Sequence, residues 1–259
     1  MKRFAIVKKE DPLSNLRCQQ LINALSETMI YDENHPELVI CIGGDGTIIN
    51  AVHQYIHLLD STYFVGIHTG TLGFYTDYNE DEWEVLVKDI LHNEWRVDKR
   101  CLLKVECGND VYYALNEMSL EESHCSLICD VYINGEYLEC FRGNGLCIST
   151  PSGSTALNRS LGGSVVVASI PSMQLTEIAG IHHNAYRSLR SSLVLGSDSV
   201  VTLKPQMGRR MTLGVDRDVI SYENKTEPVK VSVANRYACF IRFRHHGLCQ
   251  RLRKAYISS

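Results

Sequence analysis

Leu38-Val39-Ile40-Cys41-Ile42 is an unbroken apolar run that stops at Gly43-Gly44-Asp45-Gly46-Thr47, after which Ile48, Ile49, Val52, Ile56 and Leu59 recur at helical spacing. Apolar residues without alternation describe a strand buried on both faces, as in a parallel sheet covered by helices. Glycines at its carboxyl end allow a sharp turn into the next helix, in the crevice where open α/β sheets bind ligands. The neighbouring segments fit the same scheme. Residues 4–7 read as a strand, Asp11-Pro12 as a cap and first-turn proline, and Leu13, Leu16, Leu21, Ile22, Leu25 and Met29 as one helix face. Residues 63–67 read as a third strand, and an acidic turn after Asn79 leads a helix with Trp83, Leu86, Val87, Ile90 and Leu91 inward. The expectation is an α/β domain over residues 1–98 with a Rossmann-like parallel sheet.

Beyond Trp95 the pattern shortens. Residues 100–107, 111–115, 126–133 and 136–142 read as strands, with Asn134-Gly135 as a hairpin turn, and further strands are expected within 192–205, 210–215, 219–222 and 229–242. This predicts an all-β, layered or sandwich-like domain over residues 99–247. A terminal helix within 248–259 is expected to pack back on the first domain.

The net charge of −4 argues against a chain built to hold nucleic acid. Arg242, Arg244, Arg251, Arg253 and Lys254 do cluster near the end, and read either as a polyanion patch or as a solvated helix face. Ten cysteines without a CxxC pair read as reduced core thiols rather than a disulfide or zinc framework. No run has the length of a membrane span, and the start lacks the apolar core of a signal peptide. These features predict a cytoplasmic protein with no membrane partner.

The glycine loop has the form of a phosphate cradle, with backbone N–H groups and a helix N-terminus aimed at one place. Asp45 is out of character there, because a carboxylate repels phosphate; it reads as a general base, as a contact to magnesium, or as a helix cap. The loop lacks the Gly-Lys-Ser/Thr ending of a Walker loop. A second turn, Thr69-Gly70-Thr71-Leu72-Gly73-Phe74, follows the next strand, and Phe74 either stacks on a ligand ring or plugs the sheet edge. Asn116-Glu117, read as ending a β run, pairs groups suited to ribose hydroxyls, or forms a plain turn. The stretch from Ser149 to Gly163 carries five Ser or Thr in its first seven residues and reads as a hydroxyl-dressed helix start for a polar ligand, or as an over-capped surface helix. No G-x-S-x-G elbow is present, and the neighbouring pairs His182-His183 and His245-His246 do not form a metal site.

Taken in order, the Gly-Gly-Asp-Gly-Thr loop at Gly43, the Gly-x-Leu-Gly-Phe turn at Gly70, Asn116-Glu117 and Thr150-Pro151-Ser152-Gly153-Ser154-Thr155-Ala156 resemble the NAD kinase family over nearly the whole chain. Residues 141–146 and the short length look like the compact Gram-positive type. The first loop alone is shared with diacylglycerol and sphingosine kinases, whereas the Thr-Pro-x-Gly-Ser-Thr-Ala stretch is similar only to NAD kinases.

The resemblance implies an α/β phosphate-donor domain and a β-rich NAD-binding domain, in a homotetramer or homodimer. It implies transfer of the γ-phosphoryl group of ATP, or of polyphosphate, to the adenosine 2′-hydroxyl of NAD, with Mg2+ accompanying ATP. Asp45 would be the catalytic base; Gly43, Gly44, Gly46 and Thr47 would cradle phosphates. NAD would be held by Asp45, Gly46, Phe74, Asn116, Glu117, Ser152, Thr155, Ala156, Leu157, Asn158 and Ser160, with Arg142, Asn144, Ala179 and Tyr186 nearer a subunit boundary. The chain departs from the family at Asn144, where aspartate is usual, at Leu157, where tyrosine is usual, and at Thr71, where histidine or asparagine is common. A non-catalytic NAD or NADP sensor of the same fold and a diacylglycerol-type lipid kinase are the competing readings.

Overall fold

Residues 38–42 lie at the centre of a parallel sheet, and every one of them is fully buried. The computed structural model describes residues 1–70, 73–122, 124–184, 186–206, 211–222, 227–244 and 247–257. The chain divides into two units, Met1–Lys99 with Tyr237–Ser259, and Arg100–Arg236.

In the first unit Ile30–Tyr31, Arg3–Lys8, Leu38–Ile42 and Tyr63–His68 lie side by side, all parallel. Cys239 and Phe240, late in strand Val229–Arg242, pair parallel with Tyr63 and Phe64. Residues 237–247 had been expected in the β-rich domain; this pairing seats 237–242 in the first unit instead. Helix Pro12–Leu25 starts where Asp11 accepts the Ser14 N–H at 2.8 Å and proline occupies the first turn. Leu21 and Leu25 from it, and Leu86 and Ile90 from helix Trp83–His92, close over Phe4, Ile40 and Ile67. Leu16, expected on the same inward face, is 53% exposed. The helix start expected after Asn79 carries a capping box, with Glu82 accepting the Asn79 N–H at 2.8 Å.

The second unit is built from antiparallel strands. One sheet runs Leu193–Gly196, Ser172–Ile178, Gly145–Ser149, Glu117–Glu122, Met211–Val215, Asp218–Ser221. A second layer contains Glu136–Gly143, Leu127–Ile133, Val200–Pro205 and the first part of Val229–Arg242. Leu120, Leu146, Ile148 and Leu213 of the first layer share one core with Leu127, Val131, Val201 and Val231 of the second, a sandwich-like arrangement. Asn134 and Gly135 both take positive φ, 52° and 83°, as the tight hairpin requires. Strands Glu117–Glu122, Gly145–Ser149 and Ser172–Ile178 had not been singled out in the sequence; the last is a seven-residue run whose Ser, Gln and Thr interrupt the apolar signal.

Among the described residues no helix is long and apolar enough to cross a membrane. None of the ten cysteines is in a disulfide, and Cys41, Cys101, Cys107, Cys129 and Cys147 are buried, whereas Cys125 and Cys249 are exposed.

Candidate active site

The first glycine loop is set at the end of its strand by Gly43, whose N–H donates to the Ile67 carbonyl at 2.9 Å. Gly43 has φ of 153°, and a Cβ there would lie 2.2 Å from Thr47 Oγ1, so packing requires glycine. Gly44 and Gly46 differ: both are exposed, and an added Cβ would meet nothing within 4 Å. Packing does not demand glycine at either position.

Asp45 is the first residue of helix Asp45–Gln54 and is half-buried. Its carboxylate does not cap its own helix. Oδ2 accepts the Phe74 N–H at 2.9 Å and Oδ1 accepts the Tyr75 N–H at 3.1 Å. A carboxylate has about four acceptor positions, so these bonds orient the group and leave capacity for a further proton donor. Gly73 makes the approach feasible, since a Cβ on it would stand 2.1 Å from Asp45 Oδ1. Phe74 is half-buried and its ring packs against Tyr256 of the terminal helix Leu248–Tyr256, with centroids 5.7 Å apart. Thr71 lies outside the described residues.

Below that turn is a buried ionic network. Arg251 donates to the carbonyls of Gly73 at 3.0 Å and Thr76 at 2.8 Å, and to the Asp77 carboxylate. Arg242 donates to Asp77 at 2.9 Å and to the Tyr75 carbonyl at 2.7 Å, and pairs with Asp98 at 3.2 Å. Arg244 bonds Glu82 at 2.7 Å over the ring of Tyr78. Arg242 and Arg251 are therefore buried braces and Arg244 a half-buried one, which corrects both the polyanion-patch and the solvated-face readings for the two buried residues.

In the second unit, Leu115 and Asn116 form the bend that ends strand Asp110–Ala114, as expected, while Glu117 already opens the next strand, Glu117–Glu122. One carboxylate holds this bend: Asp216 accepts from the N–H groups of Leu115 at 2.7 Å, Asn116 at 2.8 Å and Glu117 at 3.1 Å. Asp216 sits in a two-residue turn at φ of 52°, a conformation that Asp tolerates better than most residues. Gly153 packs on the other side, where a Cβ would lie 2.1 Å from the Asn116 carbonyl oxygen. Burial, with the Asp216 carboxylate beside it, pushes Glu117 up to about 8. Its Oε2 is buried with no hydrogen-bond partner, as is the hydroxyl of Ser149, its cross-strand neighbour.

The hydroxyls that follow are used inward. Thr150 donates to the Leu115 carbonyl at 2.6 Å and accepts the Gly153 N–H at 3.0 Å; Ser154 bonds Pro151 and Val166; Thr155 bonds Ser152. Arg100 donates to Ser152 at 3.2 Å. Only a short turn, Gly153–Thr155, and a four-residue helix, Leu157–Ser160, follow, so the expected hydroxyl-dressed helix start is instead a hydroxyl-knotted turn. Asn158 is fully buried, accepting from Thr176 at 2.7 Å. Ala156 is half-buried, and Leu157 and Ser160 are exposed beside it.

Arg142, Asn144, Ala179 and Tyr186 form a separate group. The Arg142 guanidinium lies 4.2 Å from the centre of the Tyr186 ring, and the Asn144 N–H donates to Ile178 at 2.9 Å, next to Ala179. Strand Gly145–Ser149 runs from this group toward Asn116-Glu117, and its four steps set the two about 13 Å apart along the strand. Among the described residues no cluster of three or more His, Cys, Asp or Glu side chains is placed to hold a metal ion.

Gly73, Asp77, Asp216 and Arg251 were not singled out as site residues in the sequence. Gly73 stood within the second glycine turn and Arg251 within the basic cluster, and Asp216 left a local signal as an Asp beside a strand end in Gly214-Val215-Asp216-Arg217-Asp218.

Comparison with known proteins gives a consistent answer. Residues 6–95 match the model of the ATP-NAD kinase N-terminal domain and residues 109–243 that of the ATP-NAD kinase C-terminal domain. NAD kinases of Staphylococcus aureus strains JH9 and Newman are 38% identical over 265 residues, covering 99% of this chain and 98% of each relative. Two solved structures share the fold at 20% identity. Yeast NADH kinase complexed with NADH has a TM-score of 0.86, over 100% of this chain and 89% of that one. An NAD kinase from Archaeoglobus fulgidus in complex with ATP has a TM-score of 0.79, over 97% and 99%. With both domain models matched and the 38% identity running nearly end to end, the chain belongs to the NAD kinase family.

Proposed function

We propose that this chain transfers the γ-phosphoryl group of ATP to the 2′-hydroxyl of the adenosine ribose of NAD, with Asp45 as the general base. The ribose 2′-oxygen forms a bond to the γ-phosphorus while the bond from that phosphorus to the β,γ-bridging oxygen breaks. ADP departs, and the hydroxyl proton passes to Asp45. Positioning supplies most of the rate in such a transfer.

The observation that carries this reading is the setting of Asp45. It stands in a loop whose exposed glycines have no packing role, and two backbone N–H groups hold its carboxylate in one orientation. Asp45 is the only acidic side chain of that loop, and two of its acceptor positions are engaged. The described residues thus provide no cage for a resident magnesium ion. Magnesium is best written as part of the donor substrate, held by the ATP phosphates.

The first unit would serve as the donor domain, with Gly43, Gly44, Gly46 and Thr47 at the phosphates. In the second unit Asn116 and Glu117 would bind ribose, beside Ser152, Thr155, Ala156, Leu157 and Ser160. Asn158, buried beneath them, would shape that turn. Arg142, Asn144, Ala179 and Tyr186 would serve a subunit boundary in a homo-oligomer. The exposed apolar residues Ile181, Leu189 and Tyr186 support that placement.

The test is NADP formation from NAD, ATP and magnesium by the purified protein, beside Asp45→Asn. Product from the wild type and at least a hundredfold less from the variant is expected, about the lower end of what one general base contributes. Tight NAD binding without ATP consumption would replace this reading with the sensor.

A further inference from the structure

We infer that Arg251, in the terminal helix Leu248–Tyr256, is a positioning residue for Asp45 and acts through the peptide that joins Gly73 to Phe74. This rests on the reading of Asp45 as the base. The carbonyl oxygen and the N–H of one trans peptide point in opposite directions across a rigid plane. In this peptide both ends are engaged: the Gly73 oxygen accepts from Arg251 at 3.0 Å, and the Phe74 N–H donates to Asp45 Oδ2 at 2.9 Å. A plane bonded at both ends cannot rotate without breaking one bond. The charged donor on its oxygen also polarises the N–H toward the carboxylate.

The neighbouring groups repeat the pattern. Thr76 presents its carbonyl to Arg251 and Tyr75 presents its own to Arg242, while the Tyr75 N–H faces Asp45. Asp77, only 1% exposed, joins the two guanidinium groups and fixes their spacing. Cations thus hold the carbonyls of Gly73, Tyr75 and Thr76, and Asp45 holds the N–H groups of Phe74 and Tyr75. Arginine suits this position because the two terminal nitrogens of its planar fork reach two carbonyls and a carboxylate at fixed spacing, whereas an ammonium group must make all its contacts from a single nitrogen. Tyr256, from the same helix, presses on the Phe74 ring. The terminal helix therefore braces the turn that aims Asp45, although no residue of that helix need touch a substrate.

Full-length Arg251→Met and Arg251→Lys test this by steady-state NADP formation, with kcat expressed per NAD site counted by titration. In Arg251→Met we expect kcat to fall at least tenfold with KM for NAD and ATP within twofold of wild type, since a misplacement of about 1 Å can cost a hundredfold. Arg251→Lys should lie between the two, at least threefold below wild type, and decides the question if the Met variant does not fold. A kcat within twofold of wild type in the folded variants, or a loss carried wholly by KM, overturns the inference. Asp45→Asn, run alongside, separates the two failures. Full activity there removes the base reading; a slow Asp45→Asn beside fast Arg251 variants removes only the positioning role.

Discussion

Asp45 Oδ2 accepts a hydrogen bond from the backbone N–H of Phe74 at 2.9 Å, joining two glycine turns that are 29 residues apart in sequence. Because main-chain donors orient the carboxylate, its aim depends on how closely the second turn can approach. Gly73 sets that approach.

Gly73→Ala is therefore expected to lower kcat by about tenfold to a hundredfold, because the new methyl group would occupy the place of Asp45 Oδ1. Overpacking should cost roughly 1–3 kcal/mol of stability. Steady-state rates and thermal melts on the same preparation measure both. Unchanged kcat would mean that Asp45 tolerates displacement.

Gly43 and Gly46 should respond in opposite ways. Gly43→Ala meets both a φ of 153° and the Thr47 hydroxyl at 2.2 Å, and is expected to lose about 2 kcal/mol or more. Gly46→Ala adds a methyl group to an open helical position and should be neutral, or gain up to about 1 kcal/mol. Its KM for ATP should nevertheless rise at least tenfold. Urea unfolding and ATP titration separate the two effects, and an unchanged KM in Gly46→Ala would remove that glycine from the phosphate site.

Three strands of the first domain, Arg3–Lys8, Leu38–Ile42 and Tyr63–His68, were legible in the sequence because they are largely buried, whereas the partly exposed two-residue strand Ile30–Tyr31 was not. Leu38-Val39-Ile40-Cys41-Ile42 has one reading, and Asp11-Pro12 and Asn79 mark helix starts by local chemistry. Ser172–Ile178 was not, because a strand rich in Ser, Gln and Thr declares itself only through its neighbours. The same distinction runs through the site. Asp45 could be found from its loop, whereas Arg251 lies 178 residues from Gly73 and looks like any helix-surface arginine until Asp77 is placed beside it. The hydroxyls of residues 150–155 were visible, but their direction was not. A Ser or Thr at a turn can serve a ligand or its own backbone, and only the fold shows the Leu115 and Pro151 carbonyls within reach.

Asp216 provides the third test. Asp216→Ala would leave three N–H groups of the Asn116 bend without an acceptor and put alanine at φ of 52°. A loss of about 3 kcal/mol is expected, with a raised KM for NAD. Asp216→Asn keeps one acceptor oxygen and tolerates the backbone conformation, so its loss should be smaller. Equal losses in the two variants, read from urea midpoints, would show that the bend does not depend on this carbonyl-type acceptor.

Glu117 should make stability fall with rising pH. Burial and the Asp216 carboxylate raise it from 4.5 to about 8, so the folded state holds the proton more tightly than the unfolded chain does. Its contribution is fully present below about pH 4.5 and is lost as pH rises through about 8, where folding must keep a charged carboxylate in a poorly solvated place. Glu117→Gln is uncharged throughout and close in shape. At pH 8 it should be more stable than the wild type by on the order of 3 kcal/mol, given about 1.4 kcal/mol per pKa unit and a discount for partial exposure. At pH 5 the two should differ little. Urea midpoints at both values give the answer: parallel pH dependence in the two proteins would show that Glu117 is ionised in the folded chain at neutral pH. If the side chain also holds a ribose, kcat/KM for NAD should fall in the same variant even as stability rises, which separates a binding role from a purely structural one.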